Sequence, residues 1–218
     1  MTYTNASLDI LRRVHTAMVS DVCDDLLLEN PMLAPAIQQL TGAEGPTVVG
    51  PAYPCLVEPT DEYVEIDTLL DMVEALPAGS VPVVVSVEGF SAALWGGLMS
   101  ARAVERGAAA AVTNGRVRDI AQINGLGFPV FGSGRTALDI RRRGAMRAYD
   151  VTVELDGRSI APGDVVLADS NGAAVLRGEV VDRVATECQR RVGYEQDAFE
   201  SLRAGRSPWQ VFDEHGQF

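Results

Sequence analysis

Lysine is missing from this chain, and all 18 basic residues are arginine. A Schiff base with a carbonyl substrate or with pyridoxal phosphate needs a lysine amine, and a Walker-type phosphate loop needs a lysine as well. The sequence therefore excludes both mechanisms. If the protein stabilises a carbanion or an enolate, a metal ion or fixed dipoles must do so.

Cysteine is scarce, and long apolar runs are absent. Cys23, Cys55 and Cys188 stand far apart in the chain, so neither a disulfide framework nor a paired-cysteine metal site is predicted. No run reaches the length of about 18 apolar residues that a membrane-spanning helix needs. The N-terminus also has no basic segment followed by an apolar run. We therefore expect a cytoplasmic protein with no membrane partner.

Positive charge is in short supply, with 18 basic against 30 acidic residues and a formal net charge of −12. Such a chain repels phosphate backbones unless it concentrates its cations on one face. The densest basic stretch is Arg141-Arg142-Arg143. We interpret it as the solvated end of a helix, with an anion or RNA contact as the alternative. The prediction is that nucleic acid is not a partner.

Apolar spacing predicts helices that alternate with buried strands. Residues 7–28 carry apolar side chains at helical intervals, and residues 136–143 are a further possible helix. Residues 81–87 form an apolar, β-branched run typical of a strand buried on both faces. Later in the chain, Asp156-Gly157 between two β-type runs predicts a hairpin turn.

This order of elements predicts an α/β fold with a mixed β core and helices on both faces. The length of 218 residues suits one sizeable core rather than two large ones. We assign residues 1–192 to this single domain. Residues 193–218 are expected to form a C-terminal helical tail.

Two glycines mark the first candidate site. Gly96 and Gly97 stand at the expected start of a helix, directly before Leu98 and Met99. The N–H groups of a first helical turn have no partner within the helix, so such a start can hold a carboxylate or a phosphate. The alternative is that the glycines only permit a tight turn.

An Arg-Asp pair marks the second candidate site. Arg118 and Asp119 lie in a loop between a buried strand and a short helix, and loops at strand ends are common places for ligands. The planar guanidinium of Arg118 suits a carboxylate, and the carboxylate of Asp119 is a hard ligand for Mg²⁺ or Mn²⁺. The alternative is that Asp119 only caps the helix while Arg118 is solvated.

Several ordered motifs together resemble one family. They are Val49-Gly-Pro-Ala52, Trp95-Gly-Gly-Leu98, Ala103-Val-Glu-Arg-Gly107, Ala111-Val-Thr-Asn-Gly115, Arg118-Asp119, Phe128-Pro-Val-Phe131, Ile160-Ala-Pro-Gly-Asp164 and Ala168-Asp-Ser-Asn-Gly172. In these motifs the chain resembles the family of the regulator of ribonuclease activity A (RraA-like proteins) and the metal-dependent 4-hydroxy-4-methyl-2-oxoglutarate aldolases, which are class II pyruvate aldolases. The resemblance spans roughly residues 10 to 190.

The resemblance implies a fold, an assembly and a set of site residues. The fold would be an α-β-β-α sandwich, assembled as a trimer or a dimer of trimers with active sites in clefts between subunits. Asp119 would bind a divalent metal, Mg²⁺ or Mn²⁺. Arg118 would be the catalytic residue that clamps the oxo-acid and stabilises the enolate oxygen. The backbone N–H groups around Gly97, Leu98 and Met99 would receive the carboxylate of the substrate.

The chain departs from the family pattern at two positions. The aldolases carry an acid where this chain has Gly97, and the regulator branch carries an acid where this chain has Gln122. The resemblance implies a metal-dependent lyase acting on a small 2-oxo-acid, by retro-aldol cleavage or by decarboxylation of oxaloacetate. The alternatives are a non-catalytic binding protein similar to the regulators, or a different reaction at the same metal site.

Overall fold

The computed structural model describes residues 2–43 and 45–215. Its helices are α1 Asn5–Leu11, α2 Thr16–Asp25, α3 Asp67–Glu74, α4 Gly97–Glu105, α5 Ile120–Leu126, α6 Val181–Arg203 and α7 Pro208–His215. Its strands are β1 Gln38–Thr41, β2 Val48–Pro59, β3 Val81–Val85, β4 Ala93–Trp95, β5 Ala111–Thr113, β6 Arg116–Val117, β7 Val130–Gly132, β8 Gly134–Arg135, β9 Gly144–Tyr149, β10 Val153–Leu155, β11 Arg158–Ile160, β12 Val165–Asp169 and β13 Gly172–Leu176.

A mixed eight-stranded sheet forms the centre of the molecule, in the order β1-β7-β5-β3-β2-β12-β13 with β9 also paired to β2. Strands β7, β5, β3 and β2 run parallel to one another, while β1, β12, β13 and β9 pair antiparallel to their neighbours. The predicted α/β class with a mixed β core is thereby confirmed.

Side chains of the sheet alternate between two covered faces. In β3, Val83 packs with apolar residues of the β10–β11 hairpin, whereas its neighbour Val84 packs with residues of α3, α4 and α5. Helices α1, α2 and α6 bury a separate cluster against β12 and β13. Because successive residues of a strand point to opposite faces, a strand covered on both sides must be apolar throughout. All five residues of β3 are buried.

A second, three-stranded parallel sheet places the loops that matter for function. Strands β4, β6 and β8 each follow a strand of the central sheet (β3, β5 and β7) and pair in the order β4-β6-β8. Parallel strands end at the same edge of their sheet, and ligands of α/β proteins commonly bind at that edge. The three segments leaving this edge begin at Gly96, Arg118 and Thr136.

The prediction of one helix over residues 7–28 is wrong, because the structure divides it into α1 and α2. The cause is a distant carboxylate. Asp169 accepts hydrogen bonds from the backbone N–H of Thr16 at 2.7 Å and from its hydroxyl at 2.8 Å. These bonds fix a new helix start at Thr16, 153 residues away along the chain from its partner.

The possible helix over residues 136–143 is also wrong, since this segment has no helical residue. Local side-chain bonds replace the helical ones. The hydroxyl of Thr136 accepts from the N–H of Leu138, and the carboxylate of Asp139 accepts from the N–H of Arg141. Such bonds from Thr and Asp offer the backbone a turn in place of a helix.

Helix α6 passes through the expected domain boundary at residue 192 and continues to Arg203. Helix α7 then packs back on the molecule through Val211, which is fully buried. Residues 216–218 of the expected tail lie outside the described residues. Among the helices that are described, none is long and apolar enough to cross a membrane.

All three cysteines are fully buried thiols. Cys23 and Cys188 belong to the cluster under α1, α2 and α6, whereas Cys55 belongs to the cluster under α3, α4 and α5. Burial raises the pKa of Cys23 to about 11 and that of Cys188 to about 12, and it raises the pKa of Cys55 as well. The thiols therefore stay protonated and act as small apolar side chains.

Candidate active site

A cavity of about 650 Å³ opens at the carboxyl edge of the three-stranded sheet. The segments after β4, β6 and β8 line one side of it, and helix α3 lines the other. Gly97, Leu98, Met99, Arg118 and Asp119, the residues singled out from the sequence, all line this one cavity. The fold thus brings together two motifs that are about twenty positions apart in the chain.

Asp119 has an unusual backbone and an unexpected partner. It is the residue before α5 and adopts a left-handed conformation with φ of 60°. Its side chain makes no capping bond to α5. Instead its Oδ2 accepts a hydrogen bond of 3.0 Å from the N–H of Gly97, at the start of α4. The capping interpretation is therefore wrong: the carboxylate links two loops of the cavity.

Gly97 is closely packed at this junction. A Cβ atom at this position would lie 2.5 Å from the side-chain oxygen of Gln122 and 3.1 Å from Cβ of Asp119. Gln122 thus occupies space beside Gly97 where the aldolases of the resemblance carry an acidic side chain. The two departures from the family pattern, at Gly97 and at Gln122, are in direct contact.

Arg118 is held between two carboxylates. Its Nη1 donates to Oδ2 of Asp139 at 2.5 Å, and its Nε lies 3.3 Å from Oδ2 of Asp119. No described residue accepts a hydrogen bond from its Nη2, and about a third of the side chain is exposed. The guanidinium is therefore oriented by the protein, with donors left over for a ligand.

Asp139 was not identified from the sequence, although it completes the polar end of the cavity. It follows β8, as Gly96 follows β4 and Arg118 follows β6. Partial burial opposes its ionisation, but hydrogen bonds from Arg141 and Arg118 outweigh that effect and lower its pKa to about 2. The helix predicted over residues 136–143 concealed that Asp139, like Gly96 and Arg118, follows a strand of the three-stranded sheet.

The start of α4 supplies backbone donors beside these side chains. Gly96 precedes the helix without a side-chain cap, and the N–H of Gly97 is taken by Asp119. Leu98 and Met99 follow in the first turn, where backbone N–H groups have no partner within the helix. Their N–H groups and the positive end of the helix dipole suit an anion.

The residues at this edge fit a hard divalent cation held mainly by ligands from outside the protein. Within the described part of the chain, no three His, Cys, Asp or Glu side chains group together as a metal site. Mg²⁺, however, keeps several waters and commonly takes only one or two protein carboxylates plus substrate oxygens. Asp119 offers such a carboxylate, because the hydrogen bond from Gly97 and the ion pair with Arg118 both use its Oδ2. Its Oδ1 is left for a cation.

A family model matches most of this chain. The family model described as RraA-like, Aldolase/RraA, matches residues 16–175. This protein therefore belongs to the RraA-like family, as its motifs predicted.

Individual relatives are distant. The chain is 31% identical over 165 residues to a protein of Halalkalibacterium halodurans named as a candidate 4-hydroxy-4-methyl-2-oxoglutarate aldolase, covering 76% of this chain and 73% of that protein. It is 25% identical over 174 residues to the protein DlpA of Legionella pneumophila, covering 79% of this chain. The chain spans only 28% of the length of DlpA.

Solved structures show the same fold. Streptomyces coelicolor RraAS2, described as an unusual member of the RNase ES inhibitor RraA protein family, superimposes with a TM-score of 0.80 and 26% identity. The match covers 92% of this chain and 98% of that one. Relatives named for catalysis and relatives named for inhibition therefore share this scaffold, and function must be argued from the site.

Proposed function

We propose that this protein is a divalent-metal-dependent carbon–carbon lyase acting on a small 2-oxo-acid through a pyruvate enolate. The reaction is retro-aldol cleavage of a 4-hydroxy-2-oxo-acid, decarboxylation of oxaloacetate, or both, since both pass through the same enolate. The observation that carries the proposal is the convergence of Arg118, Asp119 and the first turn of α4 in one cavity. The relative named as an aldolase supports it.

In this proposal the polar end of the cavity binds and polarises the oxo-acid. The backbone N–H groups of Leu98 and Met99 receive its carboxylate at the start of α4. Arg118, held in place by Asp139 and Asp119, directs its remaining N–H donors at the 2-oxo oxygen. Donors fixed in advance stabilise the charge that develops there as the enolate forms.

Asp119 would hold the metal ion, Mg²⁺ or Mn²⁺. When bound, the ion supplies a Lewis acid that draws charge onto the oxo-acid oxygens. The hydrogen bond from the N–H of Gly97 fixes one oxygen of Asp119 and leaves the other available. The ion pair with Arg118 holds the same carboxylate in place.

The test is pyruvate release from oxaloacetate and from 4-hydroxy-4-methyl-2-oxoglutarate, with Mg²⁺, with Mn²⁺ and with EDTA. We expect metal-dependent turnover that falls about 10²- to 10³-fold in Arg118→Ala, as for other donors to an oxyanion, and that is lost in Asp119→Ala. Arg116→Ala is the matched control, because Arg116 is an exposed residue of the same strand-loop segment that does not line the cavity. Release no faster than with free metal ions would refute the proposal for these two substrates.

A non-catalytic binding protein of the same fold is the second candidate function. Gly97 favours it, because the aldolases carry an acid at this position and the regulator branch carries a glycine. Gln122 does not, because the regulator branch carries an acid there. If the lyase test fails, we expect the protein to act through contacts with another protein. A different reaction at the same metal site would instead show as metal-dependent binding of a 2-oxo-acid without pyruvate release.

A further inference from the structure

The polar end described above occupies only part of the cavity, whose volume of about 650 Å³ lies within the range of roughly 300–1,000 Å³ typical of pockets for drug-sized ligands. Pyruvate and oxaloacetate are far smaller than such ligands. The remaining space therefore bears on what is attached to the oxo-acid.

Apolar side chains surround that remaining space. Leu69 and Val73 of α3 line the cavity together with Met99 of α4 and Ile140 of the segment after β8. All four belong to or pack on the core beneath α3, α4 and α5. Leu70 and Leu98 stand at the rim, 53% and 83% exposed. Met99 and Ile140 are neighbours in sequence of the polar groups at Leu98 and Asp139. The apolar wall thus begins where the oxo-acid site ends.

The cations of the cavity are already paired. Arg102 makes a two-pronged ion pair with Glu74, at 2.8 and 2.6 Å. Arg141 is bonded to Asp139 at 2.9 Å, and Arg118 is shared between Asp139 and Asp119. Three arginines and four carboxylates line the cavity within the described chain. A second carboxylate on the ligand would find no uncommitted cation there and would lose its hydration against an apolar wall.

From this wall and this pairing of charges we infer that the preferred ligand is a 2-oxo-acid with an apolar tail, such as an alkyl or aryl group, rather than a dicarboxylic acid. This inference rests on the proposed function. The corresponding substrate is a 4-hydroxy-2-oxo-acid with an apolar group on C4. Its C3–C4 bond breaks, the hydroxyl proton leaves as C4 becomes an apolar aldehyde, and C3 takes a proton to give pyruvate. No other reactant is consumed.

The binding test uses the chain's own fluorescence. The protein has two tryptophans, Trp95 in the wall of the cavity and Trp209 on α7, outside it. In a Trp209→Phe protein the remaining indole of Trp95 reports occupancy. The ligands are pyruvate, the 2-oxo-acids of four, six and eight unbranched carbons, and 2-oxoadipate, all with Mg²⁺. None has a 4-hydroxyl group, so none is cleaved during the titration.

We expect the dissociation constant to fall with tail length, by up to about fourfold for each fully buried methylene. The eight-carbon acid should bind at least tenfold tighter than the four-carbon acid. The decisive pair is 2-oxohexanoate and 2-oxoadipate, which have the same carbon skeleton and differ only at the last carbon. The apolar member should bind more tightly.

Two variants separate the two parts of the inference. Leu69→Gln makes the wall polar and should flatten the dependence on tail length. Leu126→Gln, the same change at an exposed position of α5 outside the cavity, should leave it unchanged. Glu74→Gln releases Arg102 and should improve the binding of 2-oxoadipate relative to 2-oxohexanoate. Circular dichroism and unfolding midpoints confirm that each variant is folded.

Each other outcome overturns the inference in a distinguishable way. If pyruvate and its homologues bind with equal affinity, or if 2-oxoadipate binds more tightly, the apolar tail is wrong while the lyase proposal stands. If no 2-oxo-acid binds, the proposed function fails together with the inference. If Leu69→Gln changes the native mass and leaves the dependence on tail length intact, a second copy of the chain covers the wall.

Discussion

At the scale of single residues, Asp139 has the most constrained charge in the candidate site. It accepts hydrogen bonds from Arg118, from the side chain of Arg141 and from the backbone N–H of Arg141. Three-quarters of its side chain is removed from solvent. We regard it as a positioning residue, because it fixes the guanidinium of Arg118 from the side opposite Asp119.

We expect Asp139→Asn to weaken both activity and stability. At pH 7 the loss of free energy of unfolding should be about 2 kcal/mol, because the folded protein lowers the pKa from 3.8 to about 2. A lowered pKa contributes stability that is present above 3.8 and is lost as the pH falls through 2. The difference from wild type should therefore shrink by about half at pH 3. Urea titrations between pH 7 and pH 3 measure it.

The control for this variant is Asp213→Asn, which removes an exposed carboxylate from α7. It should change neither stability nor pyruvate release. A pH-independent loss in Asp139→Asn would mean that shape rather than charge is responsible. If the pyruvate assay shows turnover, unchanged kinetics in Asp139→Asn would remove the positioning role assigned to the residue.

At the scale of elements, close backbone packing fixes how β2 meets the turn before β3. A Cβ atom at Gly50 of β2 would lie 2.1 Å from the carbonyl oxygen of Gly79. Backbone atoms on both sides cannot swing away as a side chain can. By contrast, a Cβ atom at Gly125 of α5 would meet nothing within 4 Å.

We therefore expect opposite effects from one type of substitution. Gly50→Ala should cost about 3 kcal/mol or more of unfolding free energy, as backbone clashes in a core do. Gly125→Ala should be neutral or stabilise by up to about 1 kcal/mol, because alanine is the better helix former. Chemical unfolding of both variants gives the comparison. Similar effects at the two positions would contradict the packing described for β2.

The elements also show how far the sequence could predict the structure. The hairpin turn at Asp156-Gly157 was recognisable because both residues need positive φ, and the structure gives them 52° and 75°. The break between α1 and α2 was not, since Asp169 imposes it from 153 positions away. Local patterns fix elements whose causes are local, and they fail where a distant side chain supplies the bond.

The candidate site divides in the same way. Arg118, Asp119 and the start of α4 could be picked out in the sequence by their residue types and by their positions next to predicted strands and helices. The structure places them in one cavity. The bond from Gly97 to Asp119 and the contact of Gly97 with Gln122 depend on how α4 and α5 pack. Such contacts between elements have no signature in either segment alone.

At the scale of the whole molecule, several large apolar side chains are exposed away from the cavity. Leu27 is 92% exposed, Trp209 77% and Phe199 62%. Such groups become buried only where a symmetric assembly places them between copies. The trimer or dimer of trimers that the family resemblance implies stays a prediction.

We expect native mass spectrometry to give three or six times the chain mass of 23.3 kDa. Because the net charge of −12 opposes close approach of like chains, the assembly should be favoured by salt that screens this repulsion. Dilution at low and at moderate ionic strength checks both points. A monomer at micromolar concentration under both conditions would contradict the expected assembly.

The three buried thiols can report local opening of the structure through the rate at which each one is labelled. Each is sealed from solvent and held protonated, so a thiol-reactive reagent can label it only when the surrounding structure opens. Labelling of Cys23 and Cys188 reports the opening of the apolar cluster beneath α1, α2 and α6. Labelling of Cys55 reports the opening of the apolar cluster beneath α3, α4 and α5. The order in which the three thiols become labelled therefore shows whether the part of the protein that carries the cavity opens independently of the rest.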